Sequence, residues 1–219
     1  MKRPLLLIFL ILLIDQAVKF WVKTHMYLGQ EFRFADWAII HFTENNGMAF
    51  GMEFGGAYGK LALSIFRIFF VAGIFWYLTQ LVKEKANSFY ITCIAMVIAG
   101  AAGNIIDSTF YGVWFSGSDF QLASFLPANG GYSSLLHGKV VDMFYFPVLQ
   151  GQYPEWFPLW GGDEFLFFRP VFNVADASIS MGVILMIVFQ KRVFGHTHDH
   201  KEEEVITSEI TPSEENPNA

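Results

Sequence analysis

Four long apolar stretches, separated by more polar segments, dominate the pattern of the chain. They run approximately over residues 4–22, 61–82, 88–106 and 172–189. Each is about 18–22 residues long, enough for a helix to cross a hydrocarbon core of ~30 Å at a rise of 1.5 Å per residue. Because bilayer interiors admit only helices or closed barrels, runs this long predict transmembrane helices. The predicted fold class is therefore an all-α membrane protein with four transmembrane helices.

Basic residues at the ends of these stretches predict the orientation. In a four-span topology, three groups of basic residues lie on the same side of the membrane: Lys2 with Arg3, Lys83 with Lys85, and Lys191 with Arg192. Since basic residues accumulate in cytoplasmic loops, this side is expected to be the cytoplasm, with both termini on it. Lys19, Lys23 and Lys60 would lie on the other side, and they weaken the signal.

The two segments on the outer side, residues 23–58 and 107–171, are rich in aromatic residues and glycine. They contain short alternating stretches such as EFRFADWAIIHF at 31–42. Alternation of apolar and polar residues is typical of half-buried strands. We therefore expect a small β-rich extracytoplasmic subdomain, whose individual strands the pattern does not fix.

The start of the chain, MKRPLLLIFLILLID, is similar to a secretory signal peptide. No A-x-A-like cleavage site follows its apolar part, and Asp15 interrupts the place where small residues should be. We therefore interpret the segment as the first membrane span.

Composition supports a membrane protein of one domain. Hydrophobic residues make up 53% of the chain and charged residues 16%, against about 25% charged residues in soluble domains. The whole formal net charge of −6 comes from residues 193–219, which are expected to form a disordered acidic cytoplasmic tail. The lack of a basic patch argues against a nucleic-acid partner. The single cysteine, Cys93, excludes a disulfide framework and a multi-cysteine metal site, and no metal or other cofactor is expected.

Acidic residues occur within or at the ends of three predicted spans, at Asp15, Asp107 and Asp176. An ionisable residue in a membrane helix is costly and is by default a hypothesis for a functional site. Counted from the basic residues at the cytoplasmic ends, the helical rise places the three carboxylates ~18–28 Å along their helices, in the outer half of the bilayer. Helices that run in opposite directions thus bring their acids to a similar depth, which favours a common site.

An asparagine lies three residues before two of these acids, in the pairs Asn104–Asp107 and Asn173–Asp176. Residues i and i+3 share a helix face, so each asparagine can donate to a carboxylate and orient it. Two carboxylates that face each other across a small gap cannot both ionise easily, and such a pair can activate water for amide hydrolysis. The depth argument alone would pair Asp107 with Asp176.

Two other interpretations of these acids remain open. Membrane acids at matched depth also suit the proton relay of a small proton-coupled transporter or channel. The inner halves of the second to fourth spans contain almost no polar residues, which argues against a relay through the whole membrane. The acids could also serve only to join helices in an assembly or chaperone protein, which should tolerate Asp→Asn substitutions.

Five short motifs follow one another along the chain: DQ at 15–16, NNGMAFG at 45–51, GNIID at 103–107, GKVVD at 138–142 and FNVAD at 172–176. Each motif alone is weak, but their order on four spans resembles the lipoprotein signal peptidases (signal peptidase II), which are integral-membrane aspartic proteases of bacteria. The resemblance extends over nearly all of residues 1–192, which we interpret as one membrane peptidase domain.

The resemblance implies a function and a set of site residues. In the family the aspartates of the G-x-V-V-D and F-N-x-A-D motifs are catalytic, which here are Asp142 and Asp176, so this pairing replaces the one suggested by depth. The supporting or substrate-binding residues would be Asp15, Asn45, Gly47, Asn104, Asp107 and Asn173. The implied reaction removes the signal peptide from a diacylglyceryl-modified prolipoprotein just before the lipid-modified cysteine. A site near the outer leaflet of the bacterial cytoplasmic membrane would meet this lipid-anchored substrate, and a monomer would suffice.

The chain departs from the family pattern at three places. Ser108 stands where the family usually has arginine. Three basic residues are candidates to supply that charge: Arg67, Lys139 and Arg169. Met143 follows the G-x-V-V-D aspartate in place of a phenylalanine. The segment 108–141 separates two motifs that the family normally keeps close, and it is expected to be either a substrate-facing lid or a surface loop.

Overall fold

The computed structural model describes residues 1–47, 56–147, 149–152, 154–156, 161–167 and 170–194. Six helices lie in this part of the chain: α1 (Lys2–His25), α2 (Gly56–Lys83), α3 (Ser88–Ile106), α4 (Gly112–Trp114), α5 (Val174–Val188) and α6 (Gln190–Phe194). The same part contains five strands: β1 (Glu31–Ala35), β2 (Ala38–Asn45), β3 (Val140–Tyr145), β4 (Leu149–Gln152) and β5 (Glu164–Phe167). Arg169, the residues after Gly47 in the NNGMAFG motif and most of the acidic tail lie outside the described residues.

Among the described residues, three helices are long and apolar enough to cross a membrane: Lys2–His25, Tyr58–Lys83 and Ser88–Trp114. They coincide with the first three predicted spans. The third continues beyond its predicted end through a π-helical turn, Asp107–Tyr111, and α4. The fourth predicted span corresponds to α5, whose 15 residues cover ~22 Å at the helical rise, less than a typical hydrocarbon core.

The described β structure consists of two antiparallel sheets. The first has the order β1-β2-β3, and the second pairs β4 with β5. The alternating stretch EFRFADWAIIHF folds as the β1–β2 hairpin, with Asp36 and Trp37 between the strands. β3 adds to this hairpin from much later in the chain and pairs Asp142 with Thr43 of β2. The expectation of a small β-rich part is confirmed, and the sheet pairs Asn45, the first residue of the NNGMAFG motif, with Val140 of the GKVVD motif.

Small residues let α3 and α5 pack closely. A Cβ added to Gly100 would lie 2.2 Å from the carbonyl oxygen of Ala175. At Gly103 it would lie 2.7 Å from Asp15 Oδ2, and Gly182 of α5 approaches the α3 backbone in a similar way. Such contacts between small residues are typical of membrane helix pairs. They place the last turn of α3 directly beside the first turn of α5.

The segment 108–141 is integrated into the core. Its buried side chains Tyr111, Phe115 and Ala123 join one apolar cluster with residues of α1, β2 and β3: Val22, Met26, Phe42, Val141 and Met143. Met143, at the position where the family has phenylalanine, is fully buried in this cluster. Neither a lid nor a surface loop describes the segment fully, because part of it fills space between the first span and the sheet.

Candidate active site

Asp142 and Asp176 come from different elements that a short backbone bridge joins. Asp142 lies on β3 and is only 3% exposed, whereas Asp176 lies in the first turn of α5. The backbone N–H of Phe144 donates to the carbonyl of Phe172 at 2.8 Å, and the reciprocal bond measures 3.0 Å. Because this bridge ties β3 to the residue just before Asn173, the GKVVD and FNVAD motifs meet in space.

The side chain of Asn173 links the two elements that carry these acids. Its Nδ2 donates to Asp142 Oδ1 at 2.6 Å, and its Oδ1 accepts from the backbone N–H of Asp176 at 2.8 Å. Asn173 is therefore the N-cap of α5, a position that asparagine favours. It is fully buried, where hydrogen bonds are stronger than in water. One side chain thus fixes the Asp142 carboxyl group relative to the backbone of Asp176.

Asn104, in the last turn of α3, holds the second carboxylate. Its Nδ2 donates to Asp176 Oδ1 at 2.7 Å. Its Oδ1 accepts from Lys19 Nζ at 2.9 Å and from Asn173 Nδ2 at 3.2 Å. Because an ammonium group can only donate, Lys19 fixes the amide with its NH₂ group towards Asp176.

The end of β2 approaches Asp142 from another side. Asn45 Nδ2 donates to Asp142 Oδ2, and Asn45 Oδ1 accepts from the backbone N–H of Gly47. Gly47 has a φ of +82°, a region that favours glycine. Arg67 of α2 donates to the Gly47 carbonyl, and a Cβ at Gly47 would lie 2.6 Å from Arg67 Nη1. The structure thus brings Asn45 and Gly47 beside the two acids.

The two carboxyl groups lie in different electrostatic environments. Burial, and after it the negative charge of Asp176, raise the pKa of Asp142 to about 7, although the hydrogen bonds from Asn173 and Asn45 oppose the shift. Asp176 is only partly buried and lies in the first turn of α5. Because the pKa of Asp142 is raised to about 7, a substantial share of the Asp142 carboxyl groups carries a proton at neutral pH.

Asp15 and Asp107 lie close to this pair but belong to a buried ion cluster. Lys19 Nζ contacts Asp15 Oδ2 at 2.9 Å and Asp107 Oδ2 at 2.8 Å. The Asp15 carboxylate also accepts the backbone N–H of Ala175 at 2.8 Å, and that of Asp107 accepts the N–H of Val141 at 3.2 Å. The cluster therefore ties together α1, the end of α3, α5 and β3.

This cluster corrects the pairing of Asp107 with Asp176 that depth alone suggested. Asp107 is fully buried, and its oxygens accept from Lys19, Gln16 and the backbone of Val141. Asp107, at the end of α3, therefore connects α1 and β3 inside the protein. The depth of a carboxylate along its helix cannot distinguish an ion-paired carboxylate from one that faces another acid.

Lys19 and Lys23 explain the exceptions in the predicted orientation. Both are fully buried, and Lys23 Nζ pairs with Glu44 of β2 and donates to Ser118 Oγ at 2.9 Å. Lysines paired inside the protein do not contribute to the charge of a loop, so they fall outside the positive-inside rule. Sequence reasoning missed the Lys23–Glu44 pair. The i, i+4 spacing of the two lysines on one helix face is the signal that could have found it.

The position where the family has arginine carries no charge here. Ser108 Oγ donates to a backbone carbonyl one helical turn earlier, at 2.9 Å. Of the candidate replacements, Lys139 Nζ lies 3.5 Å from a Glu44 oxygen, whereas Arg67 lies within electrostatic range of Asp176. Among the described residues, no group of three His, Cys, Asp or Glu side chains is arranged to hold a metal ion.

Comparisons with known proteins cover the whole of this site. A family model described as signal peptidase (SPase) II matches residues 7–191. The lipoprotein signal peptidase of two Porphyromonas gingivalis strains is 50% identical over 196 residues, which are 89% of this chain and 85% of the relative. That of Amoebophilus asiaticus is 36% identical over 209 residues, 94% of this chain and 83% of its own length.

Two solved structures share the fold, both of bacterial membrane enzymes determined by the in meso method. The 1.9 Å structure has a TM-score of 0.56 and 25% identity, and it covers 87% of this chain and 93% of its own. The 2.3 Å structure has a TM-score of 0.55 and 21% identity, and it covers 100% of this chain and 96% of its own. The arrangement of helices and small sheets is therefore one that a membrane enzyme is known to adopt.

We predict that Lys19→Met lowers the free energy of unfolding by about 3–5 kcal/mol, because it leaves two buried carboxylates without their counter-ion. Denaturant unfolding of the detergent-solubilised protein measures this. Lys83→Met removes an exposed lysine at the end of α2 and should change the free energy by less than about 0.5 kcal/mol. Equal stability of the two variants would contradict the structural role of the ion cluster.

Proposed function

The chain belongs to the signal peptidase II family and is thus an aspartic protease that removes the signal peptide from prolipoproteins, and we propose that Asp142 and Asp176 are its catalytic pair. The observation that carries this proposal is the single side chain of Asn173, which bonds the Asp142 carboxyl group and the backbone of Asp176. In the proposal the buried Asp142 is the protonated acid, and the more exposed Asp176 is the charged base. General acid–base hydrolysis of an amide needs this asymmetry.

The proposed reaction proceeds in two proton-balanced steps. Asp176 takes a proton from a water molecule, whose oxygen attacks the scissile carbonyl carbon while Asp142 donates its proton to the carbonyl oxygen. In the resulting diol, Asp142 takes back one hydroxyl proton as the carbonyl re-forms. Asp176 gives its proton to the leaving nitrogen as the C–N bond breaks. The pair thus returns to its starting protonation state.

The remaining residues of the site support this pair in the proposal. Asn104 donates to the Asp176 carboxylate, and Asn173 donates to the Asp142 carboxyl group. Asn45 donates to the other oxygen of Asp142, Oδ2. Asp15 and Asp107 act through Lys19, which orients Asn104. Gly47 keeps the end of β2 close to the dyad, where an extended substrate peptide would pass.

We further propose that α5 completes a fourth span in the bacterial cytoplasmic membrane. Both termini then lie in the cytoplasm, and the sheets and the dyad lie at the outer leaflet. The basic residues at the chain ends and in the α2–α3 turn support this orientation. A substrate whose diacylglyceryl chains and apolar signal helix are already in the bilayer can then present its scissile bond without leaving the membrane. The resemblance to the family implies cleavage just before the lipid-modified cysteine. One chain supplies all the proposed site residues, so a monomer suffices.

The alternative of a proton-coupled transporter or channel is not favoured. The family to which the chain belongs consists of peptidases. Two of the three acids that suggested a relay, Asp15 and Asp107, are bonded to Lys19. A carboxylate held in an ion pair is a poor carrier of a mobile proton.

We propose Arg67 as the residue that supplies the charge missing at Ser108. Its guanidinium donates to the Gly47 carbonyl and lies within electrostatic range of Asp176. It is partly buried, so its charge is only partly screened by solvent. Arg67 therefore acts as a positioning residue, because it holds the end of β2 over the dyad beside the charged acid.

We predict that Asp142→Asn and Asp176→Asn each reduce cleavage of a lipid-modified precursor by at least about a hundredfold, because an amide can neither supply nor accept the required proton. The assay is precursor processing by the purified protein in phospholipid. Asp119→Asn, which changes an exposed acid of the segment 108–141, should retain full activity. Full turnover by either site variant would remove that residue from the dyad.

The raised pKa of Asp142 predicts the pH dependence. The proposed mechanism needs the protonated form of Asp142, so activity should fall as the pH rises through about 7. The hydrogen bond from Asn45 lowers this pKa, so Asn45→Ala should move the alkaline limb of the pH–rate profile to higher pH. Asn129→Ala, at an exposed position, should leave the limb in place. A shift to lower pH in Asn45→Ala would contradict the assignment of the acid.

We predict that Arg67→Gln lowers kcat by about tenfold or more with little change in KM or thermal midpoint, because charge near the reacting group acts on the transition state. Arg67→Lys keeps the charge but not the guanidinium fork and should restore part of kcat. Arg33→Gln, at an exposed arginine of β1, is the matched control. If both Arg67 variants lost thermal stability but kept the kcat of the unsubstituted protein, the role of Arg67 would be structural only.

A further inference from the structure

We propose that the tip of the segment 108–141, defined here as residues 118–126, inserts into the bilayer lipid beside the end of α1 at His25. Its large apolar side chains are all substantially exposed: Phe120, Leu122, Phe125 and Leu126. Their exposed fractions are 98%, 52%, 46% and 62%, respectively. Apolar side chains clustered and exposed to this degree mark a surface that meets another apolar phase.

The tip is held against the first span. The backbone N–H of Ala123 donates to the carbonyl of Lys23 at 3.3 Å, and the N–H of Leu28 donates to that of Ser118 at 3.0 Å. The ring of Phe125 meets that of Phe20 on α1 edge to face, with centroids 5.1 Å apart. The tip therefore continues the outer surface of α1.

The part of α1 that the tip adjoins has an apolar surface of its own. Phe20 and Trp21 are 40% and 44% exposed, on a helix whose length and composition suit a membrane span. Aromatic residues at this position of a span are typical of the boundary between acyl chains and headgroups. Because the tip is continuous with this surface, acyl chains are the occupant that the observations favour.

The backbone of the tip supports the same conclusion. Phe120 and Leu126 have φ angles of +56° and +49°, a left-handed conformation that is costly for bulky residues. If the Phe120 and Leu126 side chains lay in water, nothing would offset the free-energy cost of this backbone conformation. Their transfer from water into acyl chains is favourable and would offset it. The polar residues that flank Phe120, Asp119 and Gln121, are exposed as well, so the insertion is shallow, with these groups at headgroup level.

The test uses an environment-sensitive fluorophore attached to single cysteines. Phe120→Cys and Leu126→Cys are made in a Cys93→Ala chain, with Asn129→Cys as the matched control on the same segment. Each labelled protein is placed in nanodiscs of phosphatidylcholine and phosphatidylglycerol, where both membrane faces are accessible. Quenching by nitroxide-labelled lipid is compared with quenching by iodide, and precursor cleavage checks that each labelled chain is folded.

If the tip inserts into lipid, fluorophores at positions 120 and 126 should show blue-shifted emission, strong quenching by nitroxide and little quenching by iodide. The fluorophore at position 129 should show no blue shift, weak quenching by nitroxide and strong quenching by iodide. Iodide quenching of position 120 equal to that of position 129 would overturn the proposal, because the tip would then lie in water. Shielding of position 120 from both quenchers would overturn it too, in favour of contact with protein, such as a second copy of the chain. The result does not depend on which residues catalyse cleavage, so it tests the surface separately from the dyad.

Discussion

The buried charge of Lys19 is the constraint on which the site depends. A lone ammonium group inside a membrane protein is very costly, and here it is compensated by Asp15, Asp107 and the amide oxygen of Asn104. The Asp15 carboxylate also accepts a hydrogen bond from the backbone of α5, and the Asp107 carboxylate accepts one from the backbone of β3. Lys19 orients Asn104, and Asn104 orients the Asp176 carboxylate. The position of the ion cluster therefore helps to fix the position of the proposed dyad.

The two acids of the dyad acquire different properties because they stand on different kinds of element. Asp142 sits on the last strand of the first sheet, under side chains that exclude water, and its pKa is raised to about 7. Asp176 sits in the first turn of α5 and is only partly buried. In the proposed mechanism one residue type serves as both acid and base, since a strand and a helix end give the two side chains different degrees of burial.

The segment 108–141 connects this chemistry to the membrane surface. Phe115, one of its fully buried residues, packs into the cluster that covers Val141 and Met143 on either side of Asp142. Ser118 shares the buried Lys23–Glu44 pair, so the segment is fixed to both the first span and the sheet. Its outer side carries the exposed apolar tip. A segment that separates two motifs in the sequence therefore packs against the residues on either side of Asp142.

The sequence by itself determined the long helices, because length and apolar composition are enough to specify a span, and it determined the family, because five motifs keep their order. It also predicted a similar membrane depth for Asp15, Asp107 and Asp176. Only the tertiary structure decided which acid is ion-paired, which lysines are buried and how the segment 108–141 packs. Several of the bonds that settle these points join residues far apart in the chain, from 21 positions for Lys23 and Glu44 to 160 for Asp15 and Ala175. Periodicity reports on neighbours within a few residues, so it can mark a helix face but does not show which distant residue that face contacts.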